Sequence, residues 1–266
     1  MNQPAEIIST STAQKSSLYE HPLSERMRTF LRLEFLYKQL IYNFEQPTSW
    51  ASRSSVNALL DIVAILLRGD IRGEVLKELE RQQFLLERLQ SQDNVDSGKL
   101  NDVIEKLQTL RERLNDVGPK YLQPLRDNEF LNAIRHRSAI PGGTCAFDLP
   151  DYTHWLRQSY ERRSEDLAKW LNSVKPLCDS VAELLWLQRN SRPAEEHVAQ
   201  NGVYQHSLEK GSSVSLVVIE FDKSLGLFPE VSGSHHRFTV RFMGWQAGDT
   251  KPTQCHDDIG FKLIIC

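Results

Sequence analysis

The apolar positions of this chain keep one spacing for about two hundred residues and then change to another. From Leu23 to about Phe44, Phe30, Leu33, Tyr37, Leu40 and Phe44 recur every three or four positions, which predicts a helix. Around a 3.6-residue wheel, Met27, Leu31 and Phe35 cover much of the other side. A narrow polar sector of Glu25, Arg28, Arg32 and Gln39 remains. A helix that is apolar nearly all round is expected to be buried. Arg28 and Arg32, one turn apart, would then share a cleft or an interface. Buried guanidinium groups need anionic partners, supplied either by a local acid such as Glu25 or by a ligand.

A second helix is predicted from about Ser54 to Leu67, ended by the two glycines of "RGDIRGE" at Arg68 to Glu74. Next comes "VLKELERQQFLLERLQ". It is joined through "SQDNVDSG" to a seam of Leu100, Val103, Leu107, Leu110, Leu114 and Val117. Two such segments with a short polar loop predict an antiparallel helical hairpin. With about two and a half heptads, it is expected to pack within the chain. "RDNEFLNAIRHR" predicts a short helix capped by Asp127 or Asn128. Two more helices are expected after Pro150, one opening at Ser164 and an amphipathic one from Asn172 to Asn190.

From about Asn201 the period shortens. "GVYQHSL", "SSVSLVVIEF", "HRFTVRFMGW" and "DIGFKLIIC" are rich in Val, Ile and Phe and are set apart by Gly, Ser and Asp, as strands are. In "HRFTVRF", Phe238, Val240 and Phe242 alternate with Arg237, Thr239 and Arg241. One face should therefore enter a core while the other presents two arginines. No acidic residue occurs from Val231 to Ala247, which tilts that face towards binding an anion.

The segment "RHRSAIPGGTCAFDLP", Arg135 to Pro150, joins the two regimes. Arg135 and Arg137 close a helix, where cations suit the negative end of its dipole. Pro141-Gly142-Gly143 turns the chain. "TCAFDL" is then expected to be a strand that joins the C-terminal sheet. The predicted fold class is α+β: a mainly helical N-terminal domain with an antiparallel helical hairpin, and a smaller antiparallel β domain. The expected division is a disordered extension over 1–17, a helical domain over 18–138 plus 151–200, and a β domain over 139–150 plus 201–266.

Composition bounds the function. The 266 residues are 40% hydrophobic and 25% charged, with a formal charge of -3. That balance argues against a dedicated nucleic-acid binder. No apolar run is long enough to span a membrane, and the first residues lack the basic and apolar regions of a signal peptide. Cys145, Cys178, Cys255 and Cys266 are widely spaced and read as reduced thiols of a cytoplasmic protein. Phosphate-cradling glycine motifs, zinc-ligand spacings and nucleophile elbows are all missing from the sequence, so neither a cofactor nor a metal is expected. His235 and His236, adjacent on a predicted strand, would point to opposite faces, which is poor ligand geometry. Cys145 with His154 is the one candidate nucleophile and base. Cysteine in a strand-like run is more often a small buried hydrophobe, so no catalytic residue is assigned.

Four separated blocks carry a resemblance. "YEHPLSERMRTFLRLEFL" at Tyr19–Leu36, "RGDIRGEVLKELERQ" at Arg68–Gln82, "IPGGTCAFDLP" at Ile140–Pro150 and "SGSHHRFTVRFM" at Ser232–Met243 resemble, in order, the ZapD family of bacterial cell division proteins. The similarity runs from about Leu18 to the C-terminus, and the first 17 residues look like an extension beyond it. The resemblance implies a helical domain joined to a β domain and a symmetric homodimer. It implies a cytoplasmic protein recruited to midcell that binds the C-terminal tail of the tubulin-like FtsZ through a basic pocket and bundles its protofilaments. It implies no catalysis and no insertion in a membrane. It assigns peptide binding to Arg28 and Arg32, and extends it to Arg135, Arg137, Arg237 and Arg241. Two positions depart from the family. Glu129 stands where relatives carry an arginine, and Thr153 where they carry a histidine, with His154 next to it as a candidate substitute. The competing reading is a dimeric adaptor whose basic cleft takes another acidic peptide.

Overall fold

The computed structural model describes residues 15–90, 96–209, 214–234, 236–246, 248 and 250–266. Strand β1 (Ser16–Pro22) is followed by helices α1 (Glu25–Phe44), α2 (Ser49–Leu66), α3 (Ile71–Leu89), α4 (Ser97–Asp116), α5 (Gln123–Arg126), α6 (Glu129–Ser138), α7 (Pro150–Leu156) and α8 (Tyr160–Arg189). Strands β2 (Glu195–Ala199), β3 (Val203–Ser207), β4 (Leu216–Asp222), β5 (Leu227–Ser234), β6 (Arg237–Gly244), β7 (Thr253–Gln254) and β8 (Ile259–Ile265) complete the chain. The class is α+β, with the helices in the first two thirds and antiparallel sheets formed mostly by the last third. The chain divides into two compact units. One comprises Thr29–Leu187; the other joins Gln188–Cys266 to the N-terminal segment up to Arg28.

Several helices of the helical unit begin with a side-chain cap. Thr48 Oγ1 accepts from the Ala51 N–H at 3.1 Å, and Asp70 from Gly73 at 2.9 Å, each satisfying a donor that the first helical turn leaves free. Arg68-Gly69-Asp70 is thus a junction between α2 and α3. The predicted antiparallel hairpin is α3 with α4. Arg72, at the start of α3, donates to Leu114 O near the end of α4 at 3.0 Å. Gln90, just past α3, donates to Asn101 near the start of α4 at 2.8 Å. The buried α4 seam is Leu100, Ile104, Leu107, Leu110 and Leu114. Ile104 therefore takes the place predicted for Val103. Part of the linker, residues 91–95, lies outside the described residues.

Asn128 caps α6, accepting from Leu131 at 2.9 Å. Two helices follow from Pro150, α7 and α8, but the helices expected to open at Ser164 and to run from Asn172 are both α8. Ser159, not Ser164, stands at its start and accepts from Arg162 at 3.3 Å. Ser164 and Pro176 lie within the helix.

In the second unit, one sheet has the order β1-β4-β8-β2 and the other β3-β6-β5, with β7 pairing β6. Their inner faces share one core: Ala199, Val217, Ile219, Phe221, Ile259, Phe261 and Leu263 from the first sheet, and Phe238, Val240 and Phe242 from the second. Burying each of these phenylalanines contributes about 1.5–3 kcal/mol. The chain passes from one sheet to the other through Asn201 (φ 50°) and Gly202 (φ 71°), the pair of left-handed residues that a two-residue hairpin turn requires.

Three expectations are corrected. Thr144–Asp148 is not a strand: residues 141–148 are turns and bends, and they sit in the unit with the helices. Strands β1 and β2 occupy positions predicted to be helical domain, and β1 includes Ser16 and Ser17 of the expected disordered extension. Residues 1–14 of that extension lie outside the described residues. His236 is in the turn between β5 and β6 rather than on a strand, and His235 lies outside the described residues.

Candidate functional site

The predicted basic residues fall in both units. Arg237 and Arg241 are exposed on the outer face of β6, while Phe238, Val240 and Phe242 are buried on the inner face, as the alternation requires. Neither arginine has an ion pair among the described residues. A cavity of about 460 Å³ opens at the Arg237 end of this face, lined by Gln205, Ser207, Ser232, Ser234 and Thr239 together with Arg237. With His206 it contains hydroxyls, an amide, an imidazole and one guanidinium but no acid, a donor set suited to a carboxylate. A larger cavity of about 700 Å³, on the first sheet, sets Glu196, Glu220 and Asp222 against Lys15 and Lys262, and its acids disfavour an anion.

Arg28 belongs to the same unit. It is half-buried and forms an ion pair with Glu25, three residues earlier on α1, so the local acid does partner it. Its charge also acts on His21. Burial, and then Arg28, hold that imidazole below its ordinary pKa of 6.5.

In the helical unit, Arg32 is exposed on α1 and has no ion pair among the described residues. Helix α1 is not covered all round as its composition predicts, since Phe35 is 67% and Tyr42 65% exposed. Together with Gln39 they extend the ridge of Arg32 along the helix at three- and four-residue steps. Arg135 and Arg137 are exposed in the last turn of α6, the end where the helix dipole favours cations. Arg137 lies 3.6 Å from Asp148. His154 is exposed on α7 and hydrogen-bonds Gln158 at 2.9 Å. Glu129 opens α6, where an acid suits the positive end of the dipole. Thr153 is half-buried on α7.

Cys145 and His154 share no hydrogen bond among the described residues. The thiol is directed to Asp148 Oδ2 at 3.5 Å, and no group of three or more His, Cys, Asp or Glu side chains among the described residues could hold a metal. No helix among them is long and apolar enough to cross a membrane.

One arginine was not legible as a site residue. Arg53, on the first turns of α2, donates to Thr144 Oγ1 at 2.7 Å and to Thr144 O at 3.1 Å. Its guanidinium lies 5.5 Å from the Trp50 ring centre and 4.8 Å from that of Tyr152. The one available signal was Trp50 and Arg53 spaced three apart at a helix start.

These features define a class: an α+β protein with exposed arginine-bearing faces on a helical unit and on a β-sandwich. Comparison with known proteins is more specific. The family model for ZapD, a cell division protein, matches residues 31–241. The chain is 36% identical over 249 residues to the cell division protein ZapD of Methylococcus capsulatus, covering 94% of this chain and 97% of the relative. It is 38% identical over 250 residues to that of Ralstonia pickettii, covering 94% and 98%. With that of Photobacterium profundum the identity is 33% over 255 residues, covering 95% and 100%. The chain belongs to the ZapD family of cell division proteins.

Proposed function

We propose that this protein acts at the division site by binding the C-terminal tail of FtsZ and, as a homodimer, cross-linking FtsZ protofilaments into bundles. The observation that carries the reading is the set of exposed arginines without ion pairs among the described residues, Arg32, Arg237 and Arg241, at positions where the sequence resembles a family of cell division proteins. An acidic, flexible peptide gains most from guanidinium groups that it does not have to free from an internal ion pair. Arg135 and Arg137 add positive charge on the helical unit, and His154 offers a further hydrogen-bonding group. A dimer with one tail site per subunit can hold two filaments, and because filaments display many tails, weak single contacts add up to avidity.

The test is sedimentation of polymerised FtsZ with the wild-type chain and with Arg32→Ala, alone and combined with Arg28→Ala. Arg32→Ala is expected to reduce the bundled fraction strongly, and the double variant further, with the sedimentation mass of the free protein unchanged. Normal bundling by the double variant would sink this assignment. FtsZ lacking its tail should not be bundled. If it is bundled equally well, the reading of a generic adaptor for another acidic peptide takes over.

A further inference from the structure

The segment from 139 to 149 is braced throughout, yet it presents its largest apolar side chain to water. Its backbone is closed by hydrogen bonds from Ile140 to Arg137 O (3.0 Å), Gly143 to Ile140 O (2.9 Å), Cys145 to Gly142 O (3.0 Å) and Leu149 to Cys145 O (3.0 Å). Gly142 has φ 73°, and a Cβ on Gly143 would collide with Arg137 O, so both glycines are required by this path. Asp148 holds the loop from within, accepting from Cys145 and lying beside Arg137. Arg53 holds it from outside through Thr144.

On this frame Phe147 is 87% exposed and Ile140 50%, and Trp50, stacked on the same Arg53, is 75% exposed. Single exposed apolar residues are ordinary. Trp50 on α2 stacks on an anchored guanidinium, and Phe147 stands three residues beyond the Thr144 that anchors it, on a loop with little freedom to fold it away; together they are a surface prepared for a partner. The charge around them selects that partner. Arg135, His136 and Arg137 close α6 beside the loop; Arg137 offsets the loop's own acid, Asp148, and Arg135 is left without an ion pair among the described residues.

We propose that Phe147 and Trp50 are apolar anchors for the acidic peptide that this protein binds, so that its recognition needs a large apolar side chain next to the acids. This rests on the tail-binding reading above. It adds a specificity determinant to it: charge sets the strength of attraction, and the Phe147–Trp50 surface decides which acidic peptide stays.

The experiment is fluorescence anisotropy with a labelled peptide of the FtsZ C-terminal tail from the same organism and the full chain as wild type, Phe147→Ala, Phe147→Leu and Trp50→Ala. Loss of an aromatic anchor is expected to weaken binding about tenfold for Phe147→Ala, with Phe147→Leu in between and Trp50→Ala also weakened. The salt dependence of Kd should keep the wild-type slope, because no charge is removed. Phe147 is too exposed for its loss to alter the melting temperature. Wild-type binding with Phe147→Ala within twofold of it overturns this inference alone. So does a Phe147→Ala chain of lower sedimentation mass, since the loop would then face a second copy. A wild-type chain that does not bind the peptide overturns the tail-binding reading and this inference with it.

Discussion

On the outer face of β6, Arg237 stands between Ser207 of β3 and Ser234 of β5, and Arg241 between Val203 and Glu230. Directly opposed side chains on one sheet face have Cβ atoms about 4.5–5.5 Å apart, so Arg241 works beside a carboxylate and Arg237 beside hydroxyls. An incoming anion meets the full charge of Arg237 and the partly offset charge of Arg241. Arg237→Ala is therefore expected to weaken binding of the acidic tail peptide more than Arg241→Ala. Glu230→Gln should tighten it about two- to threefold at low salt, the effect of removing one exposed like charge. Equal losses for the two arginines in an anisotropy titration, with no gain from Glu230→Gln, would count against the argument. This is also where the sequence was least informative. The acid-free stretch from Val231 to Ala247 is real, but Glu230 lies one residue outside it and returns through the register of a neighbouring strand. Local sequence does not show which residue of another strand will stand opposite. The alternation of Phe238, Val240 and Phe242 was legible because it depends on the period of a single strand.

At the scale of elements, helices with strong periodicity were legible and their ends less so. The reading of "TCAFDL" as a strand relied on residue types. What overrode it was the hydrogen bonding imposed by Pro141, Gly142 and Gly143, which folds the backbone back on itself before any strand can extend. The strand β5 was missed for the opposite reason: Pro229, Gly233 and two serines disguise an edge strand, where such residues are tolerated. The join between the starts of α8 and α2 was invisible to periodicity because an arginine makes it. Arg163 is 4% exposed and has no acidic partner among the described residues. It donates instead to Pro47 O at 2.7 Å, Thr48 O at 3.1 Å, Gln158 O at 3.2 Å and the Ser52 hydroxyl. These carbonyls lie in the turn before α2 and just before α8, so a single guanidinium ties two helix entries together. Arg163→Leu leaves several buried acceptors unsatisfied and should cost about 2–4 kcal/mol. Arg162→Leu, one position away on the exposed face with only local ion pairs, should cost less than about 0.5 kcal/mol. Urea unfolding of both variants decides the matter. Similar midpoints would mean that Arg163 contributes packing alone.

At the scale of the whole molecule, the proposed activity turns on valence, and valence makes a claim that single-site binding does not. Suppose one tail peptide binds one subunit through exposed arginines. Salt then screens that contact, and Kd rises with ionic strength. A cross-link between two filaments exists only while both subunits of the dimer are occupied. Its population therefore depends on the product of two such contacts, each strengthened by the local density of tails on its filament. The concentration of protein needed for bundling should respond to salt about twice as steeply, on a logarithmic scale, as the affinity for a single peptide does. Light scattering of FtsZ polymers across a salt series, set beside peptide titrations in the same buffers, measures both slopes. A bundling slope equal to the peptide slope would mean that one contact suffices, and that the second filament is held by something other than the basic surface of the second subunit. Arg32→Ala should lower both slopes, and the bundling slope by the larger amount, because the residue is lost from both subunits at once.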